Sequence, residues 1–396
     1  MQTGHCKIPH PAVILGLVLA GLAFFATPAV TQGPPATAPL QAAIDKLGSF
    51  EHSHRAAASK LLRRAPASEV IPLLSLAARS HSDGYVRFRA GVLLTGFGDP
   101  ATRDLMAGLI GDRNDRLRQL AYRYFEHHPD TGLLPKLLAA AEREDAEFVR
   151  PALIRAMAAL GADARVREVL VRDIDRGETL FRSAVIEALG DYRAQYAVER
   201  LIAATKLEGS LRTDAALALG KIQDKRALNA IVALQTAAPR AAQPEVAAAI
   251  CLLGVNCASH VGYLERILRF AEKNPGFQAL VRGAARGLGA LGAAGDAGAV
   301  GLLIDLGAPS RDPIRAPIAL ALGTAALRKP AFLLEVLEKR PDIEGAADLL
   351  AEAFDMLEED ADEERFFTVV RAAYWQAPET SAVRRIAQTL IQKLDF

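Results

Sequence analysis

An arginine recurs along the chain at a nearly constant interval, and that period decides what the chain can fold into. Its aligned copies are Arg55, Arg87, Arg118, Arg150, Arg182 and Arg212, separated by 32, 31, 32, 32 and 30 residues. Further copies stand at Arg282, Arg315 and Arg384, and degenerate ones near Glu245 and Asp348 fill the gaps. In the clearest copies an apolar residue precedes the arginine, an alanine-rich apolar face follows, and a Leu-Gly pair closes the segment. Phe181–Arg182 running to Leu189–Gly190 is one such copy, and Leu211–Arg212 running to Leu219–Gly220 is another. A fixed period of this size means one supersecondary unit stacked on copies of itself, each burying its apolar face only against its neighbours. Shorter apolar segments lie between the arginine segments, at Val70–Ala77, Leu133–Ala140 and Ala227–Leu234. Each unit therefore reads as helix, turn, helix, turn. No run alternates with the period of two that a half-buried strand needs. The spacing predicts an all-α chain, an α-α superhelix of about eleven helical hairpins over residues 41–396.

The turns carry their own signals. Leu-Gly pairs end at Gly161, Gly190, Gly220, Gly254, Gly292 and Gly323. A glycine just past a helix accepts the left-handed backbone that closes it, so these positions are expected to terminate the arginine helices. Asp99, Asp163, Asp191 and Asp224 follow such turns and are expected to cap the next helix or hold the turn. Asp83, Asp112, Asp145 and Asp312 are placed to open arginine helices in the same way.

The segments Asp83–Ala90, Phe148–Ala152 and Leu280–Ala284 carry the pattern Asp-x-x-Val-Arg-x-x-Ala in whole or in part. That pattern resembles HEAT repeats, in particular the short bacterial type related to the repeats of phycobilisome-lyase proteins. The resemblance covers roughly residues 41–396 and implies a HEAT/armadillo-like solenoid used as a scaffold or binding surface; such folds do not by themselves specify a function. It also implies that the arginines form a structural ladder, pairing with carboxylates or helix-end carbonyls to fix the stacking of adjacent repeats. The copies at Glu245 and Asp348 lack the arginine, so irregular packing is expected there. One HEAT-like family, the deoxyhypusine hydroxylases, holds iron through His-Glu dipeptides; this chain contains none.

Residues 8–44 contain no Asp, Glu, Lys or Arg, and Ala12–Ala26 within them form an apolar core preceded by Lys7. Fifteen apolar residues suit a signal-peptide core better than a membrane span, which needs about 20. Residues 1–29 are therefore expected to be a signal peptide, or an uncleaved anchor, with residues 30–40 a Pro-rich linker. Either way the repeats are expected outside the cytoplasm, in the periplasm or cell envelope.

Without residues 1–29 only Lys7 is lost, leaving 46 basic against 46 acidic side chains. A net charge of zero argues against general binding to nucleic acid or anionic membrane. The charge is unevenly spread, however. Residues 51–129 carry twelve Lys/Arg against eight Asp/Glu, whereas residues 335–364 carry thirteen acids against two bases. This gradient is expected to orient a protein partner along the array.

Candidate chemistry is sparse. Cys251 and Cys257, six positions apart, are either a local disulfide of an exported protein or two independent thiols. His52 and His54, and His127 and His128, lack the spacing that sets two metal ligands on one helix face and are expected at the surface or in turns. The acidic run Glu358, Glu359, Asp360, Asp362, Glu363 and Glu364 reads either as a solvated turn or as a contact for a partner. Phe366, Phe367, Tyr374 and Trp375 follow, as a capping core for the last repeat or, with Trp375, as an aromatic anchor. No nucleophile elbow, P-loop, His-Glu-x-x-His helix or dinucleotide fingerprint is present. The sequence thus points to a non-catalytic scaffold with a protein partner and without a cofactor or metal; the alternative is a ligand- or metal-binding accessory, lyase-like, using the superhelical groove.

Overall fold

The computed structural model describes residues 38–274 and 276–396. The expected signal segment lies outside them. Twenty-two α-helices form eleven consecutive hairpins. The first helices of the hairpins are α1 (Ala38–Lys46), α3 (Ala67–Ser80), α5 (Ala101–Leu109), α7 (Leu134–Ala141), α9 (Ala164–Asp173) and α11 (Val198–Ala204). They continue with α13 (Leu228–Ala237), α15 (Cys257–Lys273), α17 (Ala297–Gly307), α19 (Pro330–Glu338) and α21 (Asp360–Gln376). The second helices, which carry the arginine motif, begin with α2 (His52–Arg64), α4 (Gly84–Thr95), α6 (Asp115–His127), α8 (Arg150–Ala158) and α10 (Thr179–Asp191). They end with α12 (Ser210–Ile222), α14 (Gln243–Leu252), α16 (Gln278–Ala294), α18 (Arg315–Arg328), α20 (Glu344–Leu357) and α22 (Ala382–Lys393). The chain is an all-α solenoid of HEAT/armadillo type. Its first helix starts at Ala38, inside the stretch read as a linker.

Consecutive second helices pack closely and form the inner layer. Their contact is made by small residues. A Cβ at Gly190 would sit 2.6 Å from the Ala218 Cα, one at Gly220 2.9 Å from the Ala249 Cα, and one at Gly323 2.5 Å from the Ala353 Cβ. These glycines therefore do not end their helices. Gly190, Gly220, Gly292 and Gly323 lie within α10, α12, α16 and α18, and of the six only Gly254 takes the left-handed backbone. The Leu-Gly pair is a close-approach device here, letting one backbone pass against the next.

The aspartate caps divide similarly. Asp83, Asp163 and Asp224 accept the backbone N–H two residues on, as do Asp99 and Asp112, while Asp312 accepts from Ala316. At the Asp145 position Glu144 takes the role, accepting from Ala146. Asp191 does not cap; it ends α10 and turns toward the inner face. The buried apolar side chains fall into two clusters, one from Leu40 to Ile250 and one from Leu217 to Phe396. They meet at α12 and α14, around the hairpin that lacks its arginine.

The solenoid curls until its ends meet. Helix α21 packs on α4 and α6, some 230 positions and more away in sequence. The last residue, Phe396, is buried, stacks on Phe367 at 4.0 Å between ring centroids, and takes a hydrogen bond from Arg64 at 3.4 Å on its main-chain oxygen.

Candidate functional site

The inner layer is alanine-rich, so any long charged side chain on it must meet other inner helices. A second charged residue follows the ladder arginine by four or five positions in α6, α8, α10 and α16: Arg123, Arg155, Glu187 and Arg286. A step of that size places it about one turn further along the helix. These residues organise two knots of charge.

In the first knot Glu126 of α6 accepts from Arg155 of α8 at 2.7 Å, from the Tyr192 hydroxyl at 3.2 Å and from Arg328 of α18 at 3.3 Å. Asp191 accepts from Arg155 at 2.9 Å and from Lys221 of α12 at 2.7 Å. Arg123 meets Glu359 at 2.8 Å and Asp362 at 3.5 Å, and Asp362 lies 3.0 Å from His127. Burial alone would raise the carboxyl pKa values, but the surrounding cations outweigh it. Arg155, Arg123 and Arg328 hold Glu126 below its ordinary value. Lys221, Arg155 and Arg328 hold Asp191 well below the carboxylate range, and Arg123, His127 and Arg328 do the same for Asp362. Burial and the neighbouring Arg155 lower Arg328 from its usual value.

The second knot has an excess of acid. Arg286 of α16 contacts Glu187 at 2.5 Å, Asp214 at 2.7 Å and Glu245 at 3.6 Å, and the Ser183 hydroxyl donates to Asp214 at 2.6 Å. One guanidinium serves three carboxylates. Burial accordingly pushes Asp214 up and raises Glu245 to about 7. Glu245 is the degenerate copy of the ladder, and its carboxyl takes Arg286 as partner.

Between the knots lies a cavity of about 380 Å³, walled by α10, α12, α16 and α18. Leu217, Ala218, Ala290, Ala293, Pro317 and Leu320 make it apolar, with Glu187, Asp191, Lys221, Arg286 and Arg328 at its edges. The second helices thus line the inner surface. Arg282 also borders the cavity, exposed, and makes no ion pair or side-chain hydrogen bond among the described residues.

The other ladder arginines mostly tie a helix end to its own hairpin. Arg55 donates to the Ser49 and Phe50 carbonyls, Arg87 to Ala78, Arg118 to Asp112 and Arg113, Arg182 to Ile174, Arg315 to Gly307 and Ala308, and Arg384 to Ala377. Four also reach a carboxylate: Arg87 that of Asp112, Arg118 those of Asp115 and Glu144, Arg182 that of Asp175 at 4.0 Å, and Arg315 that of Glu352. Arg150 lies over the Phe181 ring at 3.6 Å, and the buried Nε of Arg212 has no protein partner. Cys251 and Cys257 are joined as a disulfide, their Cα atoms 4.2 Å apart, linking the end of α14 to the start of α15.

The acidic run is a solvated turn only at Glu358, which is exposed between α20 and α21. From Asp360 on it forms the first turns of α21, and the carboxylates after Glu358 are engaged within the chain. Glu359 pairs with Arg123, Asp360 with Arg89, Asp362 with Arg123 and His127, and Glu364 with Arg63 and Arg371. Glu363 accepts from the Glu359 backbone N–H at 3.0 Å, and burial, reinforced by Asp360, pushes its pKa up to about 8. Glu358 takes the left-handed backbone that ends α20. Phe366 and Phe367 are buried, while Trp375 is 73% exposed with the Arg384 guanidinium over its ring. His127 ends α6 against Asp362 of α21 and is not in a free turn; His54 reaches Ser49 at 3.4 Å and His128 stacks on Tyr124. Among the described residues no three His, Cys, Asp or Glu side chains gather as metal ligands, and no single helix is long and apolar enough to cross a membrane.

The helices and their inner groove define a class: a helical-hairpin solenoid whose charged inner face is partly filled by its own last repeats. No protein-family model and no curated protein matches the chain. Among solved structures it is similar to the CpcE–CpcF complex of phycocyanin lyase from Nostoc sp. PCC7120, at 17% identity and TM-score 0.35, over 58% of this chain and 91% of that one. Yeast importin-β, Kap95p, is similar at 14% identity and TM-score 0.40, over 91% of this chain and 56% of that one. An engineered protein matches at 16% identity and TM-score 0.36, over 90% of this chain and 99% of that one.

Proposed function

We propose that this chain is an exported, non-catalytic scaffold whose inner groove binds a protein partner in the periplasm or cell envelope. The observation that carries the reading is the cavity of about 380 Å³ at the centre of the inner layer, apolar on its floor and bordered by Arg282. An apolar floor with a few convergent charged groups is the usual build of a recognition pocket. The groove's other cations, Lys221, Arg286 and Arg328, already face carboxylates of the chain, which leaves Arg282 as the cation offered to an incoming carboxylate. The disulfide supports an oxidising compartment, where such bonds persist.

The test is capture from the cell-envelope fraction with two baits, the unaltered chain and an Arg282→Glu, Leu320→Glu variant. A stoichiometric protein retained by the first and lost by the second supports the reading; equal retention by both removes the groove from it. The size of the cavity also favours a second reading, a small-ligand accessory, because it falls within the range of small-molecule pockets. Native mass spectrometry of the purified chain would then show a stoichiometric adduct that the same variant lacks.

A further inference from the structure

The seam where the last repeats meet the first differs in kind from the contacts between consecutive hairpins. Elsewhere hairpins are joined through one of two apolar clusters, but neither cluster crosses the seam; of the last two hairpins, only Ala361 packs against the first cluster. The seam is held by charge. Lys60 pairs with Asp395, Arg63 with Glu364, Arg89 with Asp360, and Arg123 with Glu359 and Asp362. The cations come from α2, α4 and α6, and the anions from the start of α21 and the end of the chain.

Closure also leaves polar groups unmatched. Of the eight buried side-chain polar atoms without a hydrogen-bond partner among the described residues, three belong to Ser59, Arg89 and Arg123, on the early-repeat face of the seam. A cleft of about 570 Å³ runs between the same ends, with Arg55, Arg89 and Arg116 among the residues of one wall and Asp355, Glu358 and Glu363 among those of the other. A junction of this composition lacks the apolar lock that joins consecutive hairpins. Parting the two faces returns both members of each pair to water together, so no charge is stranded and the desolvation penalty of the buried pairs is recovered. The unmatched nitrogens and hydroxyl gain solvent as well.

We propose that the seam is a reversible clasp: the curled solenoid opens between its first and last hairpins when its ion pairs are screened or outcompeted, with every helix retained. The clasp regulates access to the inner groove, since α21 supplies Glu359 and Asp362 to the first charge knot. That consequence rests on the groove reading above; the opening itself does not.

Small-angle scattering of the purified full-length chain tests the clasp without any ligand. The screening length falls from about 10 Å at 0.1 M salt to about 3 Å at 1 M, so the radius of gyration is expected to rise across that range, by roughly a tenth or more, with helical circular dichroism unchanged. Arg89→Glu is expected to open at lower salt, and Arg89→Glu with Asp360→Arg to restore closure. Should Arg89→Glu lose its helices, the salt titration of the unaltered chain decides alone. A radius independent of salt in a fully helical chain overturns the proposal. Opening without any effect of groove substitutions on partner capture leaves the clasp standing and removes the groove reading.

Discussion

Arg63 and Glu364, 301 positions apart in the chain, meet at 2.7 Å with the carboxylate side chain fully shut from solvent. Glu359, Asp360 and Asp362 meet cations of the early repeats in the same way, so part of the acidic end of the charge gradient is matched within the molecule.

Gly96 is the close-approach point of that contact. A Cβ there would lie 2.4 Å from the Glu364 Oε1 and 3.1 Å from an Arg371 nitrogen. The carboxylate cannot swing away without leaving Arg63 and Arg371. Gly96→Leu is therefore expected to wedge the seam, enlarging the radius of gyration at low salt while leaving the helical circular dichroism intact. A particle of unchanged size would show that the seam absorbs the added side chain.

The inner layer makes a contrasting pair of glycines. At Gly190 the nearest atoms to an added Cβ belong to the Ala218 backbone and side chain, whereas at Gly108 nothing lies within 4 Å. Gly190→Val is expected to cost about 2 kcal/mol or more through overpacking. Gly108→Ala, inside α5, is expected to stabilise by about 0.5 kcal/mol through reduced chain entropy. Urea denaturation of both variants gives the sign of each.

Two copies of the ladder arginine separate architecture from binding. Arg315 donates to two helix-end carbonyls and to Glu352, so Arg315→Ala is expected to lose about 2 kcal/mol of stability. Arg282 has no such partners, and Arg282→Ala is expected to change stability by less than about 0.5 kcal/mol. Loss of binding by the stable Arg282 variant would tie that side chain to recognition.

The two charge knots respond to pH with opposite signs. Burial raises Glu245 to about 7 from an ordinary 4.5, so the folded chain holds this proton more tightly than the unfolded one. The stability it contributes is full below about pH 4.5 and is lost as pH rises through about 7. Glu245→Gln, neutral at every pH, is expected to match the unaltered chain near pH 5 and exceed it at pH 8 by on the order of 3 kcal/mol. Asp362 behaves conversely. Its folded pKa is depressed, so its contribution is present above the ordinary value of 3.8 and is lost as pH falls through the still lower folded value. Thermal melts of Glu245→Gln from about pH 4.5 upward and of Asp362→Asn from the ordinary value of 3.8 downward check both signs.

The repeat was legible because each unit solves the same local problem with the same residues: an arginine such as Arg315 on helix-end carbonyls, an aspartate such as Asp83 on the next N–H, small residues on the inner face. The role of Gly190 was not legible. Leu-Gly reads as a stop signal locally, and only the neighbouring helix reveals it as a point of contact. The acidic run was misread for a related reason. Local sequence showed that Asp362 and Glu364 are charged, which favours water; their burial depends on curvature summed over eleven hairpins, which brings Arg63 and Arg123 to them. Arg155 and Arg286 were not legible because they stand off the periodic position, one turn beyond the ladder arginine, and Arg328 because it lies at the far end of α18 and meets Glu126 only through the curvature of the array.

Closure of the chain on itself is tested most directly by zero-length carbodiimide coupling at low ionic strength, followed by peptide mass spectrometry of the monomer. Lys60 and Asp395 are both accessible and in contact, whereas Lys393 with Asp348 and Lys221 with Asp191 report neighbouring repeats. The expected result is an amide between Lys60 and Asp395 alongside those two controls. Controls coupled in a monomer that never joins Lys60 to Asp395 would contradict the closed arrangement.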